Sequence, residues 1–311
     1  MLSRDEMVPR AADLVQGRAL DRRLARPYKR AAMGKIPFLK MHGLGNDFVV
    51  LDGRRDAIAV DAAGARALAD RRTGIGCDQV ILLEAPRHPD AQVLMRIHNP
   101  DGSEAEACGN AARCVADLVR RETGDPNVRI ETIAGLLEAE AGPDGRIAVD
   151  MGPVRTDWRE IPLALAMETE NVDLTFGPLS EPVCTNIGNP HATFFVADAE
   201  AIDLAALGPV LEHHPLFPQR ANIGVAAMRG YENIRLRVWE RGAGITRACG
   251  SGACAALVAA HRRGLAERQA AVVLDGGVLD IAWREDGHVL MTGPVALSFE
   301  GSFDANSLAG R

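Results

Sequence analysis

The sequence predicts an α+β protein of two pseudo-symmetric homologous domains, each a sheet wrapped around a central helix. Two observations predict it. Landmarks recur at a nearly constant spacing. Gly45-Asn46 returns as Gly188-Asn189, and Gln79 as Asn222, 143 residues on. Asn99 is matched by Glu240, Cys108 by Cys249, and Gly152-Pro153-Val154 by Gly293-Pro294-Val295 at 141. Within each copy, many short β-rich runs accompany one long helix-forming segment, which argues for α+β and against a doubly wound sheet. A length of 311 residues accommodates two such domains of about 140 residues each.

Residues 1–34 have no counterpart in the repeats and form an N-terminal extension, expected to be poorly ordered. The extension lacks the apolar stretch of a secretory signal, and its four acids and single serine do not suit an organelle transit peptide. The first repeat, residues 35–154, opens as strand, Gly-rich turn and strand over Ile36–Met41, His42–Asp47 and Phe48–Asp52. A helix is expected over Gly64–Arg72, stopped by Thr73-Gly74. Strands follow at Val80–Leu83 and Val93–His98, the second closed by the turn Asn99-Pro100-Asp101-Gly102. Ala107-Cys108-Gly109-Asn110 then leads into a helix reaching Arg121, with Val115, Leu118 and Val119 on its apolar face and Gly124 near its end. Strands at Val128–Thr132, Leu136–Ala141 and Arg146–Met151 close the unit.

The second repeat, residues 155–295, follows the same order. A strand at Phe194–Val196 precedes a helix over about 202–213, then strands at Ile223–Met228 and Ile234–Trp239. Ala248-Cys249-Gly250-Ser251-Gly252 opens the second long helix, which runs to Arg263-Gly264. Strands at Ala271–Leu274, Val278–Trp283 and His288–Met291 finish it. The remaining segment, 296–311, is expected to rejoin the first repeat as a strand.

Composition excludes several classes. A net charge of −7 argues against a nucleic-acid surface and suits a small ligand. No apolar run approaches the ~20 residues that span a bilayer. Six cysteines contain no C-x-x-C, so zinc spacing is absent and free thiols in a reducing cytoplasm are expected. Gly43-Leu44-Gly45 does not continue into a helix as G-x-G-x-x-G, which leaves nucleotide binding unsupported. No cofactor motif is present.

The chemistry lies in the two A-C-G turns. A cysteine at a helix start meets unpaired N–H groups that favour thiolate and bound anions. Free cysteine titrates near 8.5, and the helix terminus is expected to move it toward neutrality. Two such thiols facing one cleft form a two-base pair: a thiolate takes a proton from one face of a carbon while a thiol delivers one to the other. The same helix ends can hold an α-carboxylate without metal or cofactor.

The motifs K-M-H-G-L-G-N-D-F, R-R-T-G-I-G-C-D-Q, N-P-D-G-S-E-A-E-A-C-G-N-A-A-R-C, N-I-G-N-P-H and W-E-R-G-A-G-I-T-R-A-C-G-S-G-A-C-A together resemble the diaminopimelate epimerase family from about Lys35 onward. The resemblance implies a mixed/antiparallel sheet around each central helix. It also implies cofactor-independent interconversion of LL- and meso-2,6-diaminopimelate in lysine and peptidoglycan-precursor synthesis, and a homodimer. By it, Cys108 and Cys249 are the acid/base residues, with His191 and Glu240 as polar partners that position or deprotonate around them. Gly109-Asn110 and Gly250-Ser251 grip the reacting carboxylate. Asn46, Gln79, Asn99, Asn189, Asn222, Glu240 and Arg241 contact the rest of the substrate. Ala111, Ala192 and Ser251 stand where the family often has glycine, cysteine and threonine.

Other readings weigh against each residue taken singly. Asn beside Gly or Pro is usually a turn former, a lone His191 is more often structural, and Glu240-Arg241 alone would be a weak surface pair. Cys77, Cys114, Cys184 and Cys254 are read as structural, and His213-His214 as solvated. Proline racemase-type enzymes share the cysteine pair, but the ring of Asn residues and Arg241 suits a longer substrate with a second charged end. Phenazine-biosynthesis isomerases lack the pair. A redox-sensing protein would use Cys108 and Cys249 as a disulfide switch.

Overall fold

The computed structural model describes residues 34–307. Apart from Gly34, the expected extension lies outside the described residues, as does the end of the 296–311 segment. The first repeat comprises β1 (Lys35–Gly43), β2 (Asn46–Asp52), α1 (Ala62–Ala69), β3 (Gln79–Glu84), β4 (Val93–His98), β5 (Glu104–Ala105), α2 (Gly109–Thr123), β6 (Asn127–Thr132), β7 (Gly135–Ala141) and β8 (Ile147–Pro153). A connecting stretch carries the short hairpin β9 (Thr175–Phe176) and β10 (Leu179–Ser180). The second repeat comprises β11 (Val183–Asn186), β12 (Pro190–Phe195), α3 (Leu204–Glu212), β13 (Asn222–Met228), β14 (Asn233–Glu240), β15 (Gly244–Ile245), α4 (Gly250–Arg262), β16 (Gln269–Leu274), β17 (Gly277–Trp283) and β18 (His288–Gly293), and β19 (Ala296–Asp304) follows.

Each repeat has the same mixed ladder. In the first, β1–β2 is antiparallel, β2–β3 parallel, β3–β4 antiparallel, β4–β6 parallel, and β6–β7–β8 antiparallel. The order β11–β12–β13–β14–β16–β17–β18 reproduces it pair by pair. Phe48 lies opposite Gln79, and His191 opposite Asn222, so the 143-residue offset in the sequence is a register identity. The repeats join where β8 pairs antiparallel with β18. There Val149 faces Met291, flanked by Ala148–Thr292 and Asp150–Leu290. Val149 and Met291 are themselves equivalent, facing Ala139 and Ile281 in their own repeats. The pseudo-twofold axis therefore passes through the Val149–Met291 pair. β19 returns to pair with β1 from Lys35–Asp304 to His42–Ala296.

The central helices are held by burial. α2 sets Ala112, Val115 and Val119 against Phe48, Ile81 and Ile97, and Gly124 ends it in the left-handed conformation (φ 79°). α4 is buried along Ala253–Ala260; its alanines let the surrounding strands approach closely, and its apolar contact replaces much of what amphipathicity gives a surface helix. On the outer faces, α1 packs Ala65 and Leu68 on Val49 and Val80, and α3 packs Leu204 and Leu211 on Phe194 and Val225. α1 is displaced from the expected 64–72. The Asp61 carboxylate caps Gly64 N at 2.7 Å and starts the helix earlier, while Asp70 takes the amides of Arg72 and Thr73 at 2.7 and 2.6 Å and ends it. No described helix is long and apolar enough to cross a membrane.

Candidate active site

Both long helices begin one residue after a cysteine. Cys108 caps α2 with extended backbone (φ −150°, ψ 109°), and Cys249 caps α4 likewise (φ −111°, ψ 107°). The first helical residue of each is a glycine packed against methionine side chains. A β-carbon on Gly109 would stand 2.7 Å from Met151 Sδ and from Met291 Cε, and one on Gly250 would stand 2.7 Å from Met291 Sδ. The two helix starts thus close on the thioether at the pseudo-axis. Asn110 ties them together: its Nδ2 donates to Ala248 O at 3.2 Å, beside Cys249, and to Asn46 Oδ1 at 3.1 Å.

Around Cys108, Asn46 Oδ1 lies 4.0 Å from the sulfur, and Asn46 Nδ2 donates to Asp78 Oδ2 at 3.0 Å. Around Cys249, the sulfur accepts from Gly252 N at 3.3 Å and lies 3.7 Å from Ser251 Oγ. Glu240 receives the Thr246 hydroxyl, and its charge acts on the Cys249 thiol. Asn189 Oδ1 lies 2.8 Å from His191 Nε2. Asn222 donates to Pro190 O at 2.9 Å and accepts Arg241 N at 2.9 Å, and Arg241 Nη1 donates to Gln219 O at 3.1 Å. Gln79 Nε2 donates to Asn99 Oδ1 at 2.9 Å, a pair that makes no hydrogen bond to the other candidates among the described residues. The buried Gln79 Oε1 has no protein partner. A separate cleft of about 650 Å³ lies across the Leu44–Gly45 turn, lined by Lys40, His42, Arg71 and Arg247. Neither cysteine lines it, and Lys40 and Arg71 are already paired with Asp47.

A family model described as diaminopimelate epimerase matches residues 38–156 and 183–298. The chain belongs to the diaminopimelate epimerase family. Diaminopimelate epimerase from Rhodospirillum centenum is 63% identical over 273 residues, covering 88% of this chain and 94% of the relative. That from Acidiphilium cryptum is 56% identical, covering 88% and 98%. The solved structure of a hydroxyproline epimerase from Agrobacterium vitis shares the fold, with a TM-score of 0.63 at 16% identity over 90% of this chain and 96% of that one.

In this epimerase-family member the thiols do not follow the helix-terminus expectation. Burial pushes Cys108 up to about 11; the amides of Ala111 and Asn110 and the Arg113 guanidinium pull it down, and Glu240 pushes it up. Cys249 lies well above the usual thiol range, first through burial and then through the charge of Glu240, against the Gly252 amide and Ser251 hydroxyl. The helix starts act in the expected direction, but removing a thiolate from water outweighs them. Burial also raises the Glu240 carboxyl, against hydrogen bonds from Thr246 and Cys249. His191 falls to about 3 through burial and the nearby Arg241 charge, so it stands neutral.

Several residues around the candidate site carry little signal in the sequence. Asp78 accepts Asn46 Nδ2 and Asp47 N, both at 3.0 Å, and sits in the quoted C-D-Q motif, the one clue available. Glu212 is buried and accepts Trp239 Nε1 at 2.7 Å and Gly242 N at 3.0 Å, anchoring the turn after Arg241. Thr246, Met151 and Met291 have contacts that only the fold reveals.

Proposed function

We propose that the protein interconverts LL- and meso-2,6-diaminopimelate by a cofactor-independent two-base reaction on Cys108 and Cys249. The observation that carries it is the pair of cysteine-capped helix starts abutting at the pseudo-twofold axis, bridged by Asn110. The thiolate of one cysteine removes the α-proton. The bonding pair is left on the α-carbon and its carboxylate, and the thiol of the other delivers its proton to the opposite face, so the two sulfurs exchange protonation states. The carboxylate is held by the amides of Gly109-Asn110 and Gly250-Ser251, where the accumulating charge meets two helix N-termini. Asn46, Gln79, Asn99, Asn189, Asn222, Glu240 and Arg241 hold the ammonium groups and the distal carboxylate. Glu240, whose charge acts on Cys249, takes up or returns its proton, and neutral His191 orients Asn189. Because both thiols are costly to ionise in the dry site, the substrate's α-ammonium supplies the positive charge that brings one of them into play.

The repeats are taken as 35–154 and 155–295, with 296–311 completing the first; the pairing of β19 with β1 supports this. A homodimer working in the cytoplasm completes the reading.

The test is proton NMR with LL-diaminopimelate in D2O under reductant, repeated with Cys108→Ala, Cys249→Ala and proline as control substrate. Loss of the α-proton signal with meso product, abolished in both variants, is expected. Exchange on proline alone would move the assignment to a racemase, and exchange surviving in either variant would overturn the two-base reading.

A further inference from the structure

Arg113, the fifth residue of α2, is 0% exposed and heads the fully buried side chains by volume. Among the described residues no carboxylate lies within ion-pairing distance of it. Its Nη1 meets only the Met291 thioether, at 3.3 Å, and its Nε and Nη2 have no protein partner. The fold makes room for this guanidinium. A β-carbon on Gly43 would lie 2.6 Å from Nη2, and one on Gly293 would lie 3.2 Å from Nε. An uncompensated buried cation is among the costliest groups a core can hold, so its retention beside a reaction centre asks for an anion.

The ionisable groups around it are Cys108 and Cys114 on its own helix, Cys254 on α4, and Arg146 before β8, the last of like sign. Cys254 occupies the Arg113 register of the second helix, 141 residues on. The pseudo-twofold is therefore broken in charge: a buried cation stands behind Cys108, and a neutral thiol stands in the equivalent place behind Cys249. The Glu240 carboxylate, whose own field includes Asp78, acts on both thiols, and on the Cys249 side no cation offsets it.

We infer that Arg113 is a positioning residue whose fixed charge makes Cys108 the thiol that ionises first, leaving Cys249 as the proton donor of the resting enzyme. The charge of Glu240 opposes the thiolate at both sulfurs, and at Cys108 it outweighs the guanidinium; what separates the two is that Cys108 has a cation acting in its favour and Cys249 has none. The inference rests on the two-cysteine reading. It adds an asymmetry that the matching helix starts alone would not produce, and it assigns the proton inventory of the free enzyme.

The experiment is the pH profile of iodoacetamide alkylation at each cysteine in the full-length reduced protein, mapped by peptide mass spectrometry, for wild type, R113M, R113Q and R113K. In the two neutral variants the Cys108 profile is expected to move up by about one unit, a roughly tenfold slower alkylation near pH 8, while Cys249 stays in place. R113K is expected to keep the wild-type profile. A folded neutral variant with an unmoved Cys108 profile overturns the inference. So does an equal shift at Cys249, or an R113K profile displaced as far as that of a neutral variant, since packing rather than charge would then be at work. Should neither neutral variant fold, the wild-type profiles decide: Cys108 alkylated at lower pH than Cys249 supports the order of ionisation, and Cys249 reacting at the same or lower pH overturns it. Failure of the two-cysteine reading appears separately, as α-proton exchange that persists in C108S or C249S.

Discussion

Gly276 sits in the turn between β16 and β17, and its replacement by alanine probes both candidate loops with one methyl group. Its N–H donates to Arg247 O at 2.7 Å. A β-carbon there would stand 1.9 Å from the carbonyl oxygen of Leu44, 2.9 Å from its carbonyl carbon and 3.0 Å from Arg247 O. These are backbone atoms, so no side chain can swing aside. Side-chain carbons essentially never sit closer than 3.0 Å to such atoms, so the Leu44 carbonyl must retreat by about 1 Å. Leu44 already holds a left-handed conformation (φ 57°) and leads through Gly45 to Asn46, 4.0 Å from the Cys108 sulfur. Arg247 leads to Ala248, whose carbonyl anchors Asn110. Overpacking of this kind costs about 1–3 kcal/mol, and a 1 Å displacement of a reacting constellation lowers turnover by about a hundredfold. Gly276→Ala is therefore expected to lower Tm by several degrees and kcat, followed by α-proton exchange, by roughly two orders of magnitude. Gly124→Ala is the control: Gly124 has a φ of 79° and nothing within 4 Å of an added β-carbon. That change costs about 1 kcal/mol and leaves kcat intact. A Gly276→Ala protein with wild-type kcat and Tm would refute the steric argument.

Further outcomes are expected. His191, held near 3 by burial, binds fewer protons folded than unfolded. Its contribution to stability is complete above its ordinary value near 6.5 and is lost as pH falls toward 3, by about 2 kcal/mol at pH 5. Urea titrations at pH 8 and 5, compared between wild type and His191→Asn, should show that difference shrinking in the variant. Glu212→Leu strips partners from Trp239 Nε1 and Gly242 N and should raise KM for diaminopimelate more than it lowers kcat, since the Arg241 turn loses its anchor; an unchanged KM would refute this role. Oxidation of the reduced protein should link Cys108 to Cys249 and abolish activity, with recovery in dithiothreitol; full activity in a species shown by mass spectrometry to carry that disulfide would refute it.

What the sequence determined by itself is what short-range chemistry and repetition encode. The order of the longer strands and helices followed from local pattern and turn residues, whereas β11 and the two-residue strands β5 and β15 did not. The 143-residue identity of Gly45-Asn46 with Gly188-Asn189 foretold the shared β2/β3 and β12/β13 register. That Cys108 and Cys249 cap helices was legible because capping is decided within a turn of chain, and α1 shifted only because Asp61 and Asp70 offered better caps than its predicted ends. The register of β19 on β1, the seam at Val149–Met291, the stranded charge of Arg113 and the hold of Glu212 on Trp239 depend on residues far apart in the chain, although the return of 296–311 to the first repeat was expected. The same is true of the thiols. The helix terminus is a local feature and pulls them toward thiolate, whereas the dry packing that pushes them above their ordinary range is made by the whole fold, and burial is the larger effect.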